Sequence, residues 1–200
     1  MKKILLIALI SGMALCIAAA EIPKQGLGLQ AGWAQPVWHT NGTAPMYGLK
    51  AGLAYDCSYI AGFGSLLGIN YTFAAKNAMK YHQMEIFVDW QYKFEVAKET
   101  YIILYSGPTI QCGLAMKTED PLTGESYDAY TTDRNDEAMR RINVTWGLGA
   151  GVQYKRYFLR GGYDFGIINP YKNRENIAGE RLKGRLDQWS IKIGAYFWYK

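Results

Sequence analysis

The stretch RINVTWGLGAGVQY, Arg141 to Tyr154, alternates in steps of two from end to end. Ile142, Val144, Trp146, Leu148, Ala150, Val152 and Tyr154 form one row, and Arg141, Asn143, Thr145, Gly147, Gly149, Gly151 and Gln153 the other. Side chains of a strand point alternately to its two faces, so the pattern predicts a strand with one wholly apolar face and one polar or glycine face. Apolar spacings of three and four residues, which a helix would need, are not sustained anywhere after Ala20.

Moving outward from this stretch, the same alternation recurs. Tyr81 to Phe94 sets His82, Met84, Ile86, Val88, Trp90, Tyr92 and Phe94 against Tyr81, Gln83, Glu85, Phe87, Asp89, Gln91 and Lys93. Arg156 to Ile168 and Arg185 to Tyr199 behave alike, and weaker versions occupy Gly26 to Gln35, Met46 to Cys57 and Phe63 to Phe73. In Tyr101 to Met116 the apolar row Ile102, Leu104, Ile110, Cys112, Leu114, Met116 is interrupted by Pro108. Proline has no donor for the ladder, so a kink is expected there. The total is eight strands.

The connections run Pro36 to Pro45, Ser58 to Gly62, Ala74 to Lys80, Glu95 to Thr100, Lys117 to Arg140, Lys155-Arg156, and Pro170 to Gly184. Each odd-numbered connection is longer than its neighbours, which puts long loops at one end of an up-and-down sheet and short turns at the other. Composition agrees: charged residues make up 20 % of the 200, too many for a bundle of membrane helices. The one long apolar run is Ile4 to Ala20, preceded by Lys2-Lys3 and ending in Ala18-Ala19-Ala20, which is the pattern of a secretory signal peptide. We therefore expect a signal peptide at 1-20 and one domain at 21-200. Removing Lys2 and Lys3 lowers the net charge from +5 to +3, and no basic run suggests nucleic acid.

An eight-stranded antiparallel sheet closes with its apolar face inside, as a soluble ligand-binding barrel, or outside, against lipid. The mixed faces carry charges beside many of the glycines, which suit a narrow crowded lumen. We expect a lumen polar network of Glu85, Asp89 and Asp164 paired with Lys50, Arg141, Arg160 and Lys192. Aromatic rings gather near both strand ends, among them Trp33, Tyr47, Tyr163 and Trp189 at one and Trp90, Tyr92, Tyr154, Phe197 and Tyr199 at the other. Two such belts are expected where rings sit at headgroup depth. The fold class predicted is an all-β, eight-stranded antiparallel up-and-down transmembrane barrel.

The signal peptide, eight alternating strands, unequal loops and the closing segment Ala195-Tyr196-Phe197-Trp198-Tyr199-Lys200 resemble the small outer-membrane β-barrel proteins of the OmpA/OmpX-like superfamily. The likeness spans Gly26 to Tyr199 and is architectural. It implies outer-membrane localisation, short turns on the periplasmic side, outer-membrane lipid as surroundings, and the barrel-assembly machinery as a partner during insertion. The usual terminal Phe of that family is replaced here by Tyr199 followed by Lys200.

Chemistry is sparse. A lumen of eight strands is filled by side chains, so a structural role, or surface interaction with an extracellular ligand through the Lys117 to Arg140 and Pro170 to Gly184 loops, is the leading reading. A proton or ion path through the charged lumen is the sharper alternative. A lipid-modifying barrel enzyme would draw on His39, His82, Ser126 and nearby acids, whose spacing does not require contact. No ligand spacing among His39, His82, Cys57 and Cys112 points to a metal, no cofactor is expected, and Cys57 and Cys112 are expected as free thiols. The Gly147-x-Gly149-x-Gly151 run lacks the helix and Lys of a phosphate loop.

Overall fold

The computed structural model describes residues 25–39, 43–60, 62–119, 124–130, 139–171 and 183–199. The signal peptide expected at 1–20 lies outside the described residues. Ten strands form one sheet: β1 (Gln25–His39), β2 (Thr43–Pro45), β3 (Tyr47–Ile60), β4 (Phe63–Lys76), β5 (Met79–Ala97), β6 (Thr100–Glu119), β7 (Ser126–Asp128), β8 (Ile142–Tyr154), β9 (Tyr157–Gly166) and β10 (Arg185–Tyr199). The two three-residue strands extend the rim: β2 folds back on Val37–His39, and β7 on Lys117–Glu119. The eight long strands pair with their chain neighbours, and β1 pairs antiparallel with β10 from Gly26↔Tyr199 to His39↔Arg185. The sheet therefore closes on itself, leaving the long strands without a free edge.

Alternation decides what faces where. Leu49, Ile193, Leu29, Leu148, Leu159 and Ile191 are exposed on the outside, while Gln30, Lys50, Asn70, Gln83, Glu85, Gln91, Gln111, Thr145, Arg160 and Lys192 are buried inside. The barrel is thus apolar without and polar within, which only lipid surroundings make favourable. Inward glycines take up the crowding: a Cβ on Gly149 would run into the Tyr105 ring, and one on Gly68 into the Phe87 ring.

Three local expectations change. The third connection, expected over Ala74 to Lys80, is a two-residue turn, because β4 and β5 keep pairing out to Lys76↔Met79 and Asn77 takes the left-handed conformation at φ 52°. Pro108 causes no register shift: the ladder between β5 and β6 resumes in the same register on both sides, losing only the rungs of Val88 and Asp89. Four register shifts lie elsewhere among the described residues, those at Ser58/Ile60 and Glu95/Ala97 beside short turns and two that change the reading of a face. A bulge opposite His82/Gln83 turns Met116 from the outer row into the interior, and one opposite Leu27/Gly28 turns Tyr199 inward and Trp198 outward. Each extra residue reverses the parity of everything beyond it.

Candidate functional site

The inward row of β5 is the spine of the lumen. Lys50 from β3 reaches Glu85 at 2.7 Å, and Asn70 from β4 donates to the same oxygen at 2.7 Å. Gln188 from β10 donates to the other Glu85 oxygen at 3.2 Å and accepts from Gln83 at 2.7 Å, while Tyr81 donates to Gln83 at 2.7 Å. Further along, Arg160 from β9 lies 3.3 Å from Asp89, donates to Gln91 at 3.2 Å, and places its guanidinium 4.0 Å from the centre of the Tyr105 ring. Gln91 in turn donates to Asp56 at 2.6 Å, and Asp56 pairs with Lys93. A charge taken out of water is costly unless matched and hydrogen-bonded; three buried pairs joined by neutral amides supply that matching here.

Of the residues expected in the polar network, the structure brings Lys50 to Glu85 and Arg160 to Asp89. Lys192 is buried with its ammonium 4.9 Å from the Phe87 ring centre, an attraction to the ring face in place of a carboxylate. Asp164 stands beside Gly147 and makes no ion pair among the described residues. Arg141 is a correction: it stands at the long-loop rim, donating to the carbonyls of Gly113 and Leu114 and lying over Tyr130, because the inner row has already left the lumen at the start of β8. Sequence reading missed the amides Gln83, Gln91, Gln188 and Asn70 as connectors, although their place in the inward rows was visible. It also left Asp56 and Lys93 unpaired.

Buried apolar clusters stand toward both mouths. At the long-loop end Trp38, Met46, Tyr81, Met116, Tyr130, Met139 and Leu186 form an apolar plug, with Trp38 and Tyr81 edge to face at 6.0 Å. Burial pushes the Tyr130 phenol up to about 12. At the short-turn end Ala54, Leu66, Phe87, Phe158 and Tyr196 close the barrel, Phe158 and Tyr196 meeting at 4.9 Å. The plug is tied down by the loops themselves: Met139 bridges Tyr171, and Arg140 donates its backbone N–H to Pro170 at 2.8 Å.

Of the expected ring positions, Tyr47, Tyr92, Tyr154, Trp189 and Phe197 are exposed outward. Trp33, Trp90 and Tyr163 are half-buried, Trp90 against Trp146 at 5.7 Å and Tyr163 against Trp189 at 4.5 Å. Tyr199 is a correction, since the bulge stacks it on Tyr196 at 5.4 Å inside the mouth. The two histidines go separate ways. His82 meets the Tyr71 hydroxyl at 2.5 Å on the outer face, and His39 lies 3.1 Å from Asp187. Asp187 also accepts from Tyr163 at 2.5 Å and Gly166 N–H at 2.8 Å and pairs with Arg185 at 2.8 Å. Ser126 is on β7, paired with Glu119, so no serine contact with either histidine occurs among the described residues. Cys57 and Cys112 form no disulfide, and no cluster of three metal-ligating His, Cys, Asp or Glu side chains occurs among the described residues.

The sequence pattern of the outer membrane protein beta-barrel domain matches residues 23–171. Among solved structures, neisserial surface protein A superposes with a TM-score of 0.53 at 14% identity, covering 87% of this chain and 99% of that one. The outer membrane enzyme PagL matches with a TM-score of 0.49 at 12% identity over 82% of this chain and 98% of that one. Ail, the attachment invasion locus protein of Yersinia pestis, does so with a TM-score of 0.46 at 14% identity over 88% and 99%. At such identities the likeness is one of fold. No curated protein matches the sequence.

Proposed function

The chain belongs to the outer membrane protein beta-barrel family and resides in the cell outer membrane, and from that premise we propose that it is a non-conducting, non-enzymatic barrel that acts through its long loops. The observation that carries this reading is the packed lumen. Apolar clusters stand toward both ends, and Lys50–Glu85 and Arg160–Asp89 pair among the buried side chains that fill the lumen, a packing that opposes a water path through the described residues. Neither described histidine is joined to a serine, which leaves the hydrolytic alternative without a nucleophile–base pair.

One preparation tests both halves. Vesicles of outer-membrane lipid containing the purified barrel should retain a trapped small dye as well as protein-free vesicles do, and their lipid masses should stay unchanged. Leakage would overturn the closed lumen, and a mass change the non-enzymatic reading.

The loops between β6 and β8 and between β9 and β10 offer the surface for contact with an extracellular ligand. Glu119 to Glu137 is net acidic and Lys172 to Arg185 net basic. Outer-membrane lipid and the assembly machinery complete the partners in this reading, with no nucleic acid among them. Trypsin added to intact cells should cut in the Lys172, Arg174, Arg181 segment. Protection on intact cells with cleavage only after permeabilisation would put these loops on the periplasmic side and defeat the proposal.

A further inference from the structure

At the short-turn end a cavity of about 420 Å³ opens between the β5–β6 turn, the β8–β9 turn and the end of β10. Its walls are fixed by backbone hydrogen bonds: Lys155 N–H donates to Glu99 carbonyl at 2.9 Å, and Tyr196 N–H to Arg156 carbonyl at 2.8 Å. Tyr101, Tyr196 and Tyr199 line it, the last two stacked with their planes 23° apart. Buried Phe158 packs against Tyr196, one wall of this vestibule.

The lining has two chemically different sides. Lys155 and Arg156 bring cations, and Arg156 makes no ion pair among the described residues. Glu99 brings a carboxylate, separated from the Lys155 ammonium by 3.9 Å with both side chains more than half exposed. A solvated pair at that distance is worth little, so both partners are free to exchange it for a ligand. Tyr101, Tyr196 and Tyr199 bring phenol rings to the same lining, and ring faces attract an ammonium, as the Lys155 ammonium shows by lying 5.3 Å from the centre of the neighbouring Tyr154 ring. Phe197, 60 % exposed, lines the cavity and also belongs to the outer surface, where Tyr154, Tyr157 and Trp198 stand exposed around it. The vestibule is therefore continuous with the lipid-facing wall at the depth where headgroups lie.

We propose that this vestibule binds the phosphoethanolamine headgroup of a glycerophospholipid. The phosphate sits on Lys155 and Arg156, the ammonium between Glu99 and the tyrosines, and the acyl chains run down the outer wall past Phe197. A purely anionic headgroup would meet the cations but leave Glu99 opposed to it. That asymmetry is what assigns the zwitterion.

The test uses the purified folded barrel in detergent, titrated with short-chain phosphatidylethanolamine, short-chain phosphatidylglycerol and free phosphoethanolamine, with complexes counted by native mass spectrometry. Phosphatidylethanolamine should bind more tightly than the other two. Lys155→Ala combined with Arg156→Ala should weaken it about tenfold or more, as expected for lost charge-assisted hydrogen bonds. Glu99→Gln should weaken phosphatidylethanolamine and leave phosphatidylglycerol unchanged or improved. Equal or tighter phosphatidylglycerol binding by the native barrel overturns the assignment, as does binding indifferent to both sets of substitutions. Tighter binding of free phosphoethanolamine than of the lipid would make it a soluble-ligand site and equally overturn the proposal. Gel mobility before and after boiling shows that each variant is folded.

Discussion

Glu85→Ala should lower the unfolding free energy of the barrel by about 3–5 kcal/mol, the usual result of stranding one member of a buried ion pair. Lys50 is 2 % exposed and reaches Glu85 at 2.7 Å, so its ammonium would remain in the lumen without the carboxylate that contacts it. Asn70 and Gln188 would lose their acceptor in the same stroke. Replacing both charges, Lys50→Met with Glu85→Leu, removes the stranded ion and should recover most of the loss. Urea unfolding in lipid vesicles, followed by the mobility difference between folded and boiled protein, reads both. If Glu85→Ala costs under about 1 kcal/mol, the pair is water-accessible and the lumen is not the dry packed interior described.

Leu148→Arg should cost about 2–4 kcal/mol, the penalty for a cation on the lipid face near mid-membrane. Leu148 stands at the centre of β8, 52 % exposed on the outer wall. In a soluble barrel an arginine at so exposed a position would be nearly neutral, so the sign of the face is what the variant measures. The penalty should fade with depth: Ile142→Arg, at the long-loop end of the same strand and just as exposed, should cost only about 0–1 kcal/mol. Equal costs at the two positions would contradict the depth gradient, and no cost at Leu148 would contradict lipid contact.

The architecture was largely legible because a strand's period is local. Arg141 to Tyr154 declares both its faces without reference to anything else, and the observed β8 begins one residue later. The lumen was legible as a composition but only partly as contacts. That Lys50 and Glu85 point inward follows from alternation, whereas their meeting depends on the register of β3, β4 and β5. Gln83 and Gln188 lie on opposite sides of the chain, and only closure of the ring brings them to 2.7 Å. The two bulges had no readable signature, so the parity of Met116 and Tyr199 was lost beyond them. Asp187 was missed for a related reason: it shares the parity of Trp189, and its burial comes from Tyr163, His39 and Arg185 closing over it.

The continuation of β4 and β5 into the expected third connection, with β6 running on to Glu119 beside them, sets a reach. At ~3.3 Å per residue, the 20 residues of β6 trace roughly 65 Å. Tilted about 40°, they rise roughly 50 Å, twice the ~25 Å apolar band of such barrels. On this side the wall therefore projects past the lipid and holds the loop between β6 and β8 away from the headgroups, whereas the 10 residues of β9 rise only roughly 25 Å, about the height of the band. Whatever touches the loop after β6 meets a ledge raised on the β5–β6 side of the ring and low on the β9 side.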